Sequence, residues 1–354
     1  MDAKTNLEMK HQATFSEKIK KFFALTLLSL PLPIIKLLIG KAIQIDGQTM
    51  DPMVQFMVKF FVDHEIGYIP SVEEERREFD IQGSWFAHNP EPSVSISLWS
   101  VNGPKGEIPF EIHRPAQLPS KHAPALIFYH GGGHVSGSLE SHRNLCRQLS
   151  HDVNCAVLAV DYRLAPENKF PIGINDCLAA FDAVVQQAHE LGLDPKRISV
   201  GGDSAGGNVA AVIAQQRKSS SVPPKFQALW VPWLDMSKQT RSYELMGEGF
   251  FLEKKKMEWY TSHYLRSEED GLNPLASPSL GDVDGVCPAA IFSAGFDPLR
   301  DEGRDYVEKL KAAGVPVQYK LYEGVVHPFA NVAGKIPVAS KAFDEAIVIL
   351  KENI

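Results

Sequence analysis

Gly202, Ser204 and Gly206 alternate within Val200-Gly-Gly-Asp-Ser-Ala-Gly-Gly207. A serine with glycine two positions away on each side, after a strand and before a helix, is the spacing of a nucleophile on a sharp turn. Side chains at the flanking positions would collide across that turn. The helix behind it (Val209-Ala-Ala-Val-Ile-Ala214) brings the positive end of its dipole to the serine. The same turn would also suit a phosphate at a helix N-terminus. Seventy-four residues earlier, His130-Gly131-Gly132-Gly133 follows an apolar run ending at Tyr129. Three glycines let the backbone approach a ligand closely. With the amide of Ala205, Gly132 and Gly133 form a candidate oxyanion hole, each donor typically worth about 100- to 1000-fold in rate. His130, Gly131 and Asp203 are expected to support the two motifs, His130 by ordering the loop through hydrogen bonds.

A serine hydroxyl is a weak nucleophile at neutral pH and needs an imidazole that a carboxylate orients. Among twelve histidines, His327 lies on a loop after the last strand pattern, at the edge that carries the serine. His11, His151 and His189 sit in surface or helical patterns. Asp297 follows the penultimate strand, while Asp301 and Glu302 open the next helix, where acids favour the dipole. Asp297 is therefore the candidate orienting carboxylate and Asp301 a capping residue. The chain order Ser204, Asp297, His327 is that of hydrolases built on an α/β sheet.

Elements must place these residues together. Residues 93–101 and 108–113 alternate with period two around Asn102-Gly103, an antiparallel hairpin. Apolar runs follow at 123–129, 155–160, 197–200, 226–231, 288–293 and 317–322, and read as strands covered on both faces. Helical patterns lie between and after them, at 139–151, 174–192, 205–217, 301–313 and 338–353. The alternation predicts an α/β fold with a mostly parallel central sheet flanked by helices. Residues 234–280 contain no strand pattern and read as a cap insertion meeting the N-terminal helices over the carboxyl ends of the strands. The expected division is an N-terminal cap segment 1–70, a first part of the core 71–233, the insertion 234–280 and a second part of the core 281–354.

The chain has 354 residues and a formal charge of −7, which argues against a nucleic-acid partner. Its four cysteines form no CxxC pair and no Cys/His cluster, so neither a metal site nor a disulfide framework is expected. Free thiols suit a reducing compartment, and the cytoplasm is the expected location. Phe22 to Ile39 is mostly apolar and follows Lys18-Ile-Lys-Lys21. A helix packed on the protein is the main expectation. A signal peptide, a membrane anchor and a contact of residues 22–39 with a membrane surface are the alternatives, which would make the protein secreted or membrane-associated.

The HGGG run, Asp161-Tyr-Arg-Leu-Ala-Pro-Glu167, GDSAGG, Asp297-Pro-Leu-Arg-Asp-Glu-Gly303 and His327-Pro-Phe together resemble the hormone-sensitive-lipase-like (family IV) esterases of the α/β-hydrolase superfamily, in their GDSAG subgroup. The resemblance runs from about Asp46 to the C-terminus. It implies an α/β-hydrolase core with a helical cap, carboxylesterase activity on a small-molecule ester with short- to medium-chain acyl groups, and no cofactor. It also leaves a homodimer open. By motif position it carries over Ser204, Asp297 and His327 as the triad, and Gly132, Gly133 and Ala205 as the oxyanion hole. A lipase on longer chains, an amidase or lyase, and a non-catalytic receptor on the same fold are the rival functions.

Residues 161–167 are expected to brace the HGGG loop through a buried polar network. His134 departs from the family pattern, in which an apolar or aromatic residue follows the glycines; it either lines the site or faces solvent. Trp230, Trp233, Phe250, Phe251, Met257 and Trp259 either line an apolar pocket or pack the cap.

Overall fold

The computed structural model describes residues 14–61 and 69–354. His11, and the ends of the cap segment at 1–13 and 62–68, lie outside the described residues. Helix α1 (Phe15–Leu28) starts at a capping box in which Thr14 and Glu17 exchange hydrogen bonds. Pro31 then ends that run, and α2 (Leu32–Ile39) leaves at a bend of 106°. A two-strand hairpin, β1 (Gln44–Ile45) and β2 (Gln48–Thr49), turns on Asp46 and Gly47, both at positive φ. Asp51 then accepts the Met53 N–H (2.8 Å) at the start of α3 (Pro52–Phe61). A second capping box, Ser71 with Glu74, starts α4 (Val72–Phe86).

The core follows. Strands β3 (Val94–Gly103) and β4 (Gly106–Pro115) pair as the expected hairpin. Then come β5 (Ala123–Tyr129), α5 (Leu139–Val153), β6 (Ala156–Val160), α6 (Ile172–Gln186), β7 (Leu193–Asp203), α7 (Ala205–Gln216) and β8 (Gln227–Trp230). The insertion carries α8 (Arg241–Met246), α9 (Lys254–Tyr264) and two short 3₁₀ turns. The chain returns with β9 (Ala289–Phe296), α10 (Arg300–Ala312), β10 (Val317–Val326), α11 (Phe329–Val332) and α12 (Pro337–Asn353).

The eight-stranded sheet has the order β10-β9-β8-β7-β5-β6-β4-β3. It is parallel from β10 to β6 and antiparallel at β4 and β3. Alternate side chains of β5 enter two cores: Ala125, Ile127 and Tyr129 on one face, Leu126 and Phe128 on the other. That is why β5, β6, β8 and β9 are buried along their whole length. β10 departs from the expectation of two covered faces. It is an edge strand, and its exposed and part-buried residues alternate until Val325 and Val326. All four cysteines are free thiols, three of them buried.

Candidate active site

Ser204 sits between the end of β7 and the first turn of α7, with φ 55° and ψ −117°. This is backbone that an L-residue adopts only when its surroundings impose it. Two strand-like bonds hold it there: its N–H donates to Trp230 O (2.8 Å) and its carbonyl accepts from Trp233 N (3.1 Å). The flanking glycines are required by contact. A Cβ on Gly206 would lie 1.8 Å from the Tyr129 carbonyl oxygen, and one on Gly202 would lie 2.3 Å from the same atom. The turn therefore presses directly against the end of β5, and the glycine loop begins at the next residue.

That loop is folded around its own carbonyls. Gly132 O accepts from Val135 N (3.0 Å), Ser136 N (2.8 Å) and Ser136 Oγ (3.0 Å). Gly132 and Gly133 both have positive φ. Among the described residues, no protein acceptor takes the N–H of Gly132 or Gly133. Asp203 joins loop to elbow, accepting Gly131 N–H (3.0 Å), with His142 Nε2 at 3.2 Å. Burial opposes its charge, but His142, His130 and the Gly131 amide together hold its carboxyl below the ordinary value. His142 had no signal in the sequence, since only the packing of α5 beneath the loop brings it to Asp203. The His130 ring stacks on Tyr162 (4.5 Å), and Tyr162 Oη donates to His130 O (2.7 Å).

The expected brace from 161–167 is therefore present, but it is not wholly buried. Glu167 is exposed and pairs with Arg76 of α4, whose Nε donates to Val135 O (2.8 Å).

His327 follows β10 and Asp297 follows β9. His327 Nδ1 lies 2.8 Å from Asp297 Oδ2, with both side chains buried. Asp297 Oδ1 accepts Leu299 N–H (2.9 Å), which fixes the carboxylate at the start of α10. Asp301 lies in the first turn of α10, as expected, but makes no side-chain cap bond; its carboxylate pairs with Arg300 (3.0 Å) and Arg304 (3.4 Å). Glu302 is buried, and its Oε1 accepts Leu234 N–H (3.0 Å). Burial, with Asp235 and Asp297 nearby, pushes its carboxyl well above the ordinary range.

The insertion reaches the glycine loop through residues of α9 that the sequence did not single out. The Tyr260 ring of α9 fills the space a side chain on Gly133 would need, 2.3 Å from that ideal Cβ. Tyr260 Oη donates to Glu75 Oε1 of α4 (2.5 Å), and Glu75 also pairs with Lys256. His134 is buried, which removes the solvent-facing alternative. It stacks on Tyr264 (4.0 Å, 7° between planes), and burial with His130 nearby lowers its pKa to about 3. Of the candidate pocket aromatics, Trp230 lies in the core between Phe128 and Phe292, and Phe251 is exposed.

Residues 126–331 match the α/β-hydrolase fold family, a span that includes every residue of the elbow, the glycine loop and the His327–Asp297 pair. The chain belongs to the α/β-hydrolase family. It is 39% identical over 310 residues to the carboxylic ester hydrolase LipN of Mycobacterium tuberculosis, covering 83% of this chain and 80% of that one. It is 37% identical over 287 residues to the ethyl acetate hydrolase of Pseudomonas putida, covering 80% and 89%. Among solved structures, an ester hydrolase from the Lake Arreo metagenome, complexed with a bipyridine phosphonate derivative, superposes with a TM-score of 0.81. It shares 35% identity with this α/β-hydrolase and covers 86% of it and 98% of its own chain.

Proposed function

We propose that this α/β-hydrolase cleaves carboxylic esters of short to medium acyl chain through an acyl-enzyme on Ser204. The observation that carries the proposal is the 2.8 Å contact of His327 with Asp297, made from two separate loops at the sheet edge that holds the strained Ser204. With Nδ1–H given to Asp297, the Nε2 lone pair of His327 takes the Ser204 proton as Oγ attacks the ester carbonyl. The oxyanion is held by the amides of Gly132, Gly133 and Ala205. His327 then protonates the departing alkoxide, and a water deprotonated by the same nitrogen releases the acid. The names of the relatives, one of them an ethyl acetate hydrolase, support an ester of modest size.

The test is turnover of p-nitrophenyl esters from acetate to palmitate, with wild type and Ser204→Ala. Butyrate should be among the best substrates, and Ser204→Ala should lose at least about 10⁴-fold in kcat while keeping its fold. A variant that retains wild-type turnover removes the acyl-enzyme. A rate that climbs steadily to palmitate removes the chain-length preference.

A further inference from the structure

We propose that α1 and α2 form an interfacial platform that docks this enzyme on an anionic lipid bilayer. Most of the large apolar side chains left exposed among the described residues lie in α1, α2 and α3 and at Ile69. In α1 the inner face is short: Ala24 and Leu28 are buried. Phe15, Ile19, Phe22 and Thr26 repeat at helical spacing on the opposite face, and Phe23 and Leu27 widen it. Phe15 is 80% exposed and Phe22 67%. In α2, Ile35 and Ile39 face inward, whereas Leu37 is 80% exposed, beside Ile34 and Leu38. Exposed apolar residues clustered in two successive helices in this way mark an interaction site rather than scattered surface leucines.

Charge selects the occupant. Residues 15–41 hold five lysines and one glutamate in a chain of formal charge −7. At 100° per residue, Lys18 and Lys20 fall on opposite borders of the apolar face of α1, the arrangement of a helix lying in a headgroup layer with its cations at the phosphates. The one glutamate is already neutralised, since Glu17 accepts two bonds from Arg77 (2.7 Å each). A second copy on the same face would bring lysine rows against each other. A span is too long for these elements: α1 alone is about 21 Å, and its partner leaves at 106° with a buried inner face.

The platform is also tied to the site. Arg77 holds α1, and its neighbour Arg76 holds the glycine loop through Val135 O. Docking thus presents the cap side of the enzyme to the bilayer.

The test is co-sedimentation of the full chain with vesicles of phosphatidylcholine alone or mixed with phosphatidylglycerol. Wild type should bind the mixed vesicles far better than the neutral ones, and salt should weaken that binding. Lys18→Gln with Lys20→Gln should lower the partition about 25-fold, roughly fivefold per lysine. Phe22→Asp with Leu37→Asp should lower it more than about tenfold on both vesicles. All variants should keep wild-type turnover of p-nitrophenyl butyrate in lipid-free buffer, which separates loss of docking from loss of fold or of catalysis. No binding to either vesicle, or equal binding by the variants, overturns the proposal. So does a wild-type dimer that the apolar variant dissolves, or a bound form that alkaline carbonate fails to extract.

Discussion

At the scale of single residues, this site depends on two positive-φ positions that are not glycine. Ser204 is held there by Trp230 and Trp233 and by the glycines that clear its turn. His134, at φ 61°, is of a type that tolerates this conformation better than the apolar residues its family resemblance implies. Its burial has a pH consequence. With a folded pKa of about 3 against an ordinary 6.5, the unfolded chain binds the extra proton between those values. Its neutral form is therefore no burden above about pH 6.5, and stability falls as pH drops from there toward 3. At pH 5 the loss is about 2 kcal/mol relative to pH 7. His134→Phe should lower stability at pH 7 through backbone strain, yet lose about 2 kcal/mol less between pH 7 and pH 5 by urea denaturation. Parallel pH curves for the two proteins would refute it.

At the scale of elements, the decisive contact is α9 on the glycine loop. Tyr260 packs on Gly133 and hangs from Glu75 of α4, so α9, α4 and the glycine loop are joined through one side chain. Tyr260→Phe keeps the ring on Gly133 and leaves the Glu75 carboxylate short of a donor. It should cost about 1–2 kcal/mol in urea denaturation with kcat within about twofold of wild type. Tyr260→Ala frees the loop, and kcat/KM should fall at least about tenfold through misplaced oxyanion donors. If Phe and Ala variants have the same kcat/KM, the ring does not position the loop. The break of residues 22–39 into α1 and α2 belongs here too. Pro31 and Pro33 were visible, but the bend they impose was not.

At the scale of the whole molecule, stability is unevenly spread. β5, β6, β8 and β9 are buried on both faces, while α1 keeps only Ala24 and Leu28 buried. Amides of α1 should therefore exchange by local opening, at least about 100-fold faster than those of β5 and β7. Equal protection across α1 and β5, measured by hydrogen exchange mass spectrometry without lipid, would contradict this.

The strand-helix alternation, the elbow glycines, the glycine loop and the residues Ser204, Asp297 and His327 were legible in the chain. Each is a local demand: a period, a turn that excludes Cβ atoms, or a loop directly after a strand. The edge character of β10, the burial of His134, the His142–Asp203 contact and the Tyr260–Glu75 strut were not. Tyr260 and Glu75 stand 185 residues apart, and nothing near either one announces the other. Spacing specifies what a backbone can do with its own neighbours. Which distant side chains share one dry space, and which apolar face is left without a cover, is decided only when sheet, cap and loop are packed together.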